Sequence, residues 1–257
     1  MELCNLFKLD GKVAIVTGGG NYIGKACSLM LARAGAAVAV SDLNVEDAIA
    51  VASEIKQNGG KAIGMFCDVN KEEDLVGLVE MTAIEFGSIN ILVNNAGASF
   101  GPGNQGNNSS HDSGLRYDMN IFSAWRLSQL CAPHMKRAGY GSIINITSVS
   151  SINTSQPNSA FGASKAAIKH WTANLAKDYE PANIRVNAIE PGATRPSSPA
   201  SVLTSDTEEK LLAHTSIKRI GEVDDIAGAV LYFASPVSKW VSGQFLIVNG
   251  GGIQTID

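Results

Sequence analysis

Phe161 and Lys165 stand four residues apart in the stretch Phe-Gly-Ala-Ser-Lys. At that spacing on a helix two side chains share a face, one turn apart. A lysine beside a ring is ordinarily a solvated surface residue, and alone the pair carries no chemistry. Other stretches change that reading. Thr17-Gly18-Gly19-Gly20-Asn21-Tyr22-Ile23-Gly24 follows the apolar run Val13 to Val16. Glycines at a strand-to-helix turn let the backbone approach a pyrophosphate, which the helix N-terminus then stabilises. By itself such a turn is equally a plain tight turn. Asp42, about 20 residues further on at the end of the next apolar run, is the acidic partner expected for an adenosine ribose. Its carboxylate accepts from ribose hydroxyls and repels a 2′-phosphate. No lysine or arginine at Gly19 to Asn21 or beside Asp42 offsets that repulsion. NAD is therefore expected rather than NADP.

More polar clusters close later apolar runs. Asp68-Val69 ends the third, where a short carboxylate either reaches an adenine amino group or caps the next helix. Asn94-Asn95-Ala96-Gly97 ends the fourth, and its adjacent amides either stabilise the sheet or border the cofactor. Asn120, between Met119 and Ile121 in a section expected to be buried, needs partners. It either satisfies backbone groups or holds water. Thr147-Ser148 ends the fifth run, and Glu190-Pro191-Gly192 is expected to turn away from the end of the sixth.

The elements that must position these residues alternate in type. Strands are predicted at Val13 to Val16, Ala37 to Val40, Ala62 to Cys67, Ile89 to Val93, Ser142 to Thr147, Ile184 to Ile189 and Phe245 to Val248. Helices are predicted at Tyr22 to Ala34, Val45 to Gln57, Glu72 to Phe86, Leu115 to Lys136, Asn158 to Asp178, Glu208 to His214 and Val223 to Phe233. Pro157 precedes the helix of Phe161 and Lys165, and Pro181 stops it. Continuous apolar strands alternating with helices indicate an α/β fold, a single-domain, Rossmann-like, doubly wound parallel sheet of about seven strands. Ligands then bind beyond the carboxyl ends of the strands, where every one of these clusters falls. The Gly-, Asn- and Ser-rich stretch Ala98 to Ser113 reads as a functional loop. The Pro- and Ser-rich stretch Arg195 to Asp206 reads as a mobile lid. The dinucleotide-binding part is expected over roughly 8–150, and the substrate loop or lid over roughly 192–215.

Composition narrows the classes. The chain has 257 residues, 45% hydrophobic and 17% charged, which suits one domain with a large core. A net charge of −4 without a basic cluster argues against nucleic acid. No apolar run approaches the roughly 18 residues of a membrane span, and no signal-peptide segment is evident. Cys4, Cys27, Cys67 and Cys131 are scattered and lack metal-ligand spacing, as do His111, His134, His170 and His214. No metal is expected, and a cytoplasmic protein is.

From Lys8 to Gly252 the chain resembles the short-chain dehydrogenase/reductase family. The resemblance rests on co-linear motifs: Thr17-Gly18 to Gly24, Asp68, Asn94 to Gly97, Asn120, Ser148, Lys165, Pro191-Gly192 and Ser242-Gly243. It implies that Ser148 hydrogen-bonds the reacting oxygen and that Asn120 holds a water of the proton relay. Lys165 then binds the nicotinamide ribose and lowers a tyrosine pKa, as a nearby cation does. The cofactor is expected against Gly18, Asn21, Tyr22, Ile23 and Gly24, with Asp42, Asp68 and Val69. Its remaining contacts are expected at Asn95, Ala96, Gly97, Lys165, Pro191, Gly192 and Thr194.

Three positions depart from the family pattern. Phe161 stands where the family has its catalytic tyrosine, so the ring is kept and the exchangeable proton is not. Tyr22 stands at the middle glycine of the turn. Pro196 replaces a threonine, leaving Thr194 or Ser197 for the nicotinamide carboxamide. Phe161 reads either as a natural loss or as a deliberate Tyr→Phe replacement, and the other catalytic positions being intact favours the second.

The implied activity is NAD-dependent interconversion of a secondary alcohol and a ketone, crippled at Phe161. The alternative is a non-catalytic dinucleotide-binding protein of the same fold. Epimerase or dehydratase chemistry is disfavoured because it also generally uses the tyrosine. Leu9 to Lys12, Leu127 to Leu130, His214 to Ile217 and Trp240 to Gln244 are similar to the bacterial 7α-hydroxysteroid dehydrogenase branch. These segments shape the scaffold more than the pocket and say little about substrate, so a hydroxysteroid or bile acid is one candidate among secondary alcohols. The family also implies a homotetramer built partly on the helices Leu115 to Lys136 and Asn158 to Asp178.

Overall fold

The structure, a computed structural model, describes residues 5–97, 114, 117–152, 159–195, 205–213 and 215–252. One seven-stranded parallel sheet runs in the order β3-β2-β1-β4-β5-β6-β7. Its strands are β1 (Val13–Thr17), β2 (Ala37–Asp42), β3 (Lys61–Phe66), β4 (Ile91–Asn94), β5 (Gly141–Ile146), β6 (Ile184–Pro191) and β7 (Phe245–Val248). Strand order reverses between β1 and β4, which pair side by side, and at such a switch point the crossovers diverge and leave a crevice at the carboxyl ends.

Alternate residues of each central strand serve opposite faces. Ala14 and Val16 of β1 and Ile91 and Val93 of β4 join one core cluster, together with α1 (Tyr22–Arg33), α2 (Val45–Gln57) and α7 (Val223–Ala234). Ile15, Leu92 and Ile143 join the other, with α3 (Glu72–Phe86), α4 (Ser123–Ala138) and α5 (Ser159–Asp178). Burial on both faces is why these strands read as unbroken apolar runs. A further helix, α6 (Ser205–Ala213), follows residues 196–204, which lie outside the described residues. Most of the expected lid and all of the expected loop Ala98 to Ser113 therefore lie outside them as well.

Two expectations need correction. The helix expected from Leu115 to Lys136 opens instead with a π turn, Asp118–Phe122, in which the Ser123 N–H reaches back to the Asp118 carbonyl. The wide turn rotates Asn120 inward, where it is buried, and α4 then runs on through Pro133 to Ala138. Glu190 and Pro191, expected to turn away, instead remain in β6 opposite Ile247 and Val248. Proline is tolerated there because the pairing with β5 ends at Ile189, and the next bond to β7 comes from the Gly192 N–H, which donates to the Val248 carbonyl at 2.9 Å.

Cys27, Cys67 and Cys131 are unpaired and buried, and burial pushes each thiol up to about 12. Among the described residues no helix is long and apolar enough to cross a membrane, and no cluster of side chains has metal-ligand geometry.

Candidate functional site

The β1–α1 turn is locked from below. Thr17 Oγ1 accepts from the backbone N–H groups of Asn95 and Ala96 at 3.1 and 3.0 Å. Asn95 Nδ2 donates to the Thr17 and Gly18 carbonyls at 2.9 and 3.0 Å. Of the two roles open to the paired amides, each residue takes one. Asn95 braces the turn and borders the cleft. Asn94 donates instead to Asn145 Oδ1 at 2.9 Å, and Asn145 donates on to Thr172 Oγ1, stitching β4 and β5 to α5.

The glycines have separate reasons. Gly18 adopts φ +59, a region that only glycine enters without strain. A Cβ on Gly24 would lie 1.9 Å from the Gly18 carbonyl oxygen, so Gly24 lets α1 start against the turn. It does not itself line the cleft.

Asp42 faces that turn from the end of β2. Its Oδ2 accepts from the Gly20 N–H at 3.0 Å and its Oδ1 from the Asn44 N–H at 3.1 Å. The carboxylate thus orients the glycine turn while its remaining lone pairs stay available to a ligand. Asp68 Oδ1 accepts from the backbone and side chain of Asn70. The residue preceding α3 is Lys71, so Asp68 is not that helix's cap and borders the cleft instead.

A cleft of about 640 Å³ opens beyond the strand ends. Gly18, Asn21, Tyr22, Ile23, Asp42, Asp68 and Val69 line one end. Asn95, Ala96, Gly97, Ser148, Phe161, Lys165, Pro191, Gly192 and Thr194 line the rest. The sequence-predicted residues thus converge on one cavity, apart from Gly24 and Asn120. Leu43, Met119, Ile146 and Ser150 also line it. Apolar wall residues such as Leu43, Met119 and Ile146 look like any core residue in a sequence.

Lys165 projects from α5 and is 4% exposed. Its Nζ donates to the Ile146 carbonyl at 2.9 Å and sits 5.7 Å from the centroid of the Phe161 ring. Burial lowers its pKa to about 8. Asn120, 1% exposed, stands just behind the cleft wall. Its Nδ2 donates to Ser164 Oγ at 3.0 Å, and Ser164 Oγ donates to the Phe161 carbonyl at 2.8 Å. Asn120 Oδ1 is buried without a hydrogen-bond partner. A Cβ on Gly97 would lie 2.7 Å from that oxygen and 3.1 Å from Lys165 Nζ, so the amide, the ammonium and the Gly97 backbone crowd one point.

Ser148 caps a short 3₁₀ turn, Val149–Ser151. Its Oγ accepts from the Ser150 N–H at 3.1 Å and donates to Ser150 Oγ at 3.2 Å. It can therefore turn its proton toward a substrate oxygen without leaving an orphan behind. The site holds a hydroxyl donor, a buried cation, an amide and a bare aromatic ring.

Tyr140 and Tyr179 bring no hydroxyl to the cleft. Neither lines the cleft, and Tyr140 is bonded to the Ala234 carbonyl. Among the described residues the tyrosine lining it is Tyr22, at φ +50. An aromatic residue in that region costs about 1–2 kcal/mol. Its hydroxyl donates to the Thr194 carbonyl at 2.6 Å.

A Lys169–Glu190 pair, 2.8 Å apart with the carboxylate buried and the lysine half-buried, also went unread in the sequence. Glu190 Oε2 additionally accepts from Ser151 Oγ at 3.3 Å. Its sequence signal was Glu190 itself, a carboxylate directly after the apolar pair Ala188-Ile189.

A family model described as enoyl-(acyl carrier protein) reductase matches residues 20–252. The 7α-hydroxysteroid dehydrogenase of Escherichia coli (strain K12) is 44% identical over 250 residues, covering 97% of each chain. The chain belongs to the short-chain dehydrogenase/reductase family. The 7α-hydroxysteroid dehydrogenase of Clostridium sardiniense is 35% identical over 254 residues, covering 95% of this chain and 94% of its own. A solved 7α-hydroxysteroid dehydrogenase, complexed with NADH and 7-oxo glycochenodeoxycholic acid, superposes with a TM-score of 0.93 at 42% identity over the whole of both chains. As a short-chain dehydrogenase/reductase, this chain shares an oxidoreductase scaffold with these relatives.

Proposed function

We propose that this chain is an NAD(H)-binding member of the family whose site is arranged to interconvert a secondary alcohol and a ketone of hydroxysteroid type. Its turnover is limited by Phe161. The observation that carries this reading is the convergence of Asp42, Ser148, Phe161 and Lys165 on a single cleft. Support for the steroid class comes from the similarity to 7α-hydroxysteroid dehydrogenases along nearly the full length of both chains.

The cleft residues fit the cofactor. Gly18 and Gly24 keep side-chain bulk out of the turn at the N-terminus of α1, which favours an anionic pyrophosphate. Asp42 suits a ribose diol. Asp68 and Val69 border the adenine, and Asn95, Ala96 and Gly97 the middle of the molecule. Pro191, Gly192 and Thr194 face the nicotinamide end. When bound, NAD(H) supplies the two-electron oxidation or reduction at the carbinol carbon. The chain's own residues orient and protonate: Ser148 Oγ donates to the substrate oxygen, and Lys165 holds the ribose and places positive charge beside the ring of Phe161. Asn120, through its unpartnered Oδ1, anchors the water that links Lys165 to solvent. Phe161 keeps the shape of a tyrosine and moves no proton.

Cofactor choice follows from charge. Lys165 is the one cation among the described residues lining the cleft, and it lies at the end away from Asp42. Calorimetry is expected to show tighter binding of NAD(H) than NADP(H), and Asp42→Ala is expected to shift that ratio toward NADP(H) by about tenfold. An unchanged ratio in the variant would count against the assignment of Asp42.

The chain is further proposed to assemble as a homotetramer. Phe122 and Trp125, 53% and 40% exposed where the π turn meets α4, are apolar surface of the kind an interface covers. Light scattering at micromolar concentration is expected to give four chain masses, and a monomer mass would overturn this.

The activity itself is tested by restoring Phe161→Tyr and following NADH absorbance with a panel of secondary alcohols, bile acids among them. Silence from both proteins supports the non-catalytic reading.

A further inference from the structure

We propose that Tyr22 is a strap across the pyrophosphate end of the cleft, and that its bond to the Thr194 carbonyl must open for a dinucleotide to enter or leave. This rests on the NAD(H) reading above. Tyr22 is the first residue of α1 and holds a left-handed φ of +50. A strained backbone persists only where its surroundings over-determine it, and two restraints are visible here. The Asn21 carboxamide oxygen accepts from the Tyr22 N–H at 2.8 Å. At the other end the Tyr22 hydroxyl is committed to Thr194, 172 residues away in the chain.

The far anchor is itself fixed. Thr194 bridges Gly221, the Arg195 N–H donates to the Gly221 carbonyl at 2.7 Å, and the Gly221 N–H donates to the Ala193 carbonyl at 3.0 Å. Arg195 also pairs with Glu222 and Glu208. The strap therefore joins the phosphate-approach turn to a rigid knot at the root of the segment that follows β6. Both ends of this crossing line the same cleft. Partial burial raises the Tyr22 pKa, so the phenol keeps its proton, and the bond its donor, across the neutral range.

A gate of this kind has a kinetic signature. Weakening it raises the population of the open form, so entry and exit accelerate together while equilibrium affinity changes little. A side chain that merely supports the fold, or merely touches the ligand, alters affinity through dissociation alone.

Stopped-flow NADH fluorescence on the whole chain distinguishes these. In Tyr22→Phe, which removes only the hydroxyl, both rate constants are expected to rise about 5- to 10-fold, with the Kd within about threefold of the parent. Tyr22→Gly is expected to accelerate both at least as much. Rates within about twofold of the parent in both variants would overturn the strap while leaving the cofactor reading intact. Binding by Tyr22→Gly from a parent that binds no NADH would also overturn it, showing a plug rather than a gate. Binding by none of the three proteins overturns the cofactor reading, and the strap with it.

Discussion

Phe161→Tyr is expected to raise turnover on a secondary alcohol or ketone by at least about 100-fold. Oxidising an alcohol, or reducing a ketone, leaves or creates an alkoxide-like oxygen that must exchange a proton within hydrogen-bond reach. In the proposed reaction the ring of Phe161, 5.7 Å from Lys165 Nζ at its centroid, stands where that exchange is needed, and it has no proton to give. A positioned acid–base group contributes typically about 10² to 10⁴ in rate, or roughly 3 to 5 kcal/mol of barrier. Ser148 does not substitute, because a serine hydroxyl donates a hydrogen bond but does not readily exist as an anion at neutral pH. Ground-state binding barely changes, since the ring, the glycine turn, Asp42 and Lys165 all remain. The gain should therefore appear in kcat rather than in KM. Comparable turnover in both proteins on one substrate would mean that another group is the acid.

The second large effect is at Lys165, measured in the Phe161→Tyr background. Its ammonium is the cation that would bring a tyrosine down from its usual pKa of about 10. Lys165→Met is expected to cancel most of the restored turnover, about 10²-fold or more at pH 7, and to weaken NADH binding as well.

The same substitution is expected to stabilise the fold. Burial holds Lys165 at about 8 instead of 10.5, so the folded chain carries a penalty of roughly 3 kcal/mol for keeping it charged. The folded value lies below the unfolded one. The unfolded chain therefore binds more protons between about pH 8 and 10.5, and stability rises with pH across that window. Below it the penalty is constant. After allowing about 1 kcal/mol for the lost bond to the Ile146 carbonyl, Lys165→Met should gain about 1 to 2 kcal/mol at pH 7, shrinking toward pH 10. Urea unfolding at both pH values measures this, and a variant less stable than its parent at pH 7 would contradict it.

The sheet was legible because its central strands are buried on both faces, so that Val13–Thr17 and Ile91–Asn94 stand out as apolar runs between polar punctuation. The strand-end residues of the cleft were legible for a related reason. Asp42, Asn95 and Ser148 interrupt that apolarity where a parallel sheet places its ligands. The π turn at Asp118–Phe122 was not, since widening one turn by a residue barely disturbs the apolar spacing of a long helix. Pro191 suggested a strand end two residues early because a proline reads as a terminator, and only the pairing with Val248 shows that β6 still holds it.

The contacts that escaped the sequence join residues far apart in the chain. Tyr22 was visible as a bulky side chain in a glycine turn, yet its partner is a backbone carbonyl, which has no residue type to read. Asn120 was expected among the catalytic groups, and it stands one layer behind them, reaching the site through Ser164 and the space beside Gly97.

Titrating NADH into this chain and into Phe161→Tyr, read by nicotinamide fluorescence, tests the central claim most directly. That claim is an intact cofactor site joined to a missing proton donor. The expected result is saturable binding by both proteins, with Kd values within about threefold of one another. Binding by the tyrosine variant alone, or by neither protein, would contradict it.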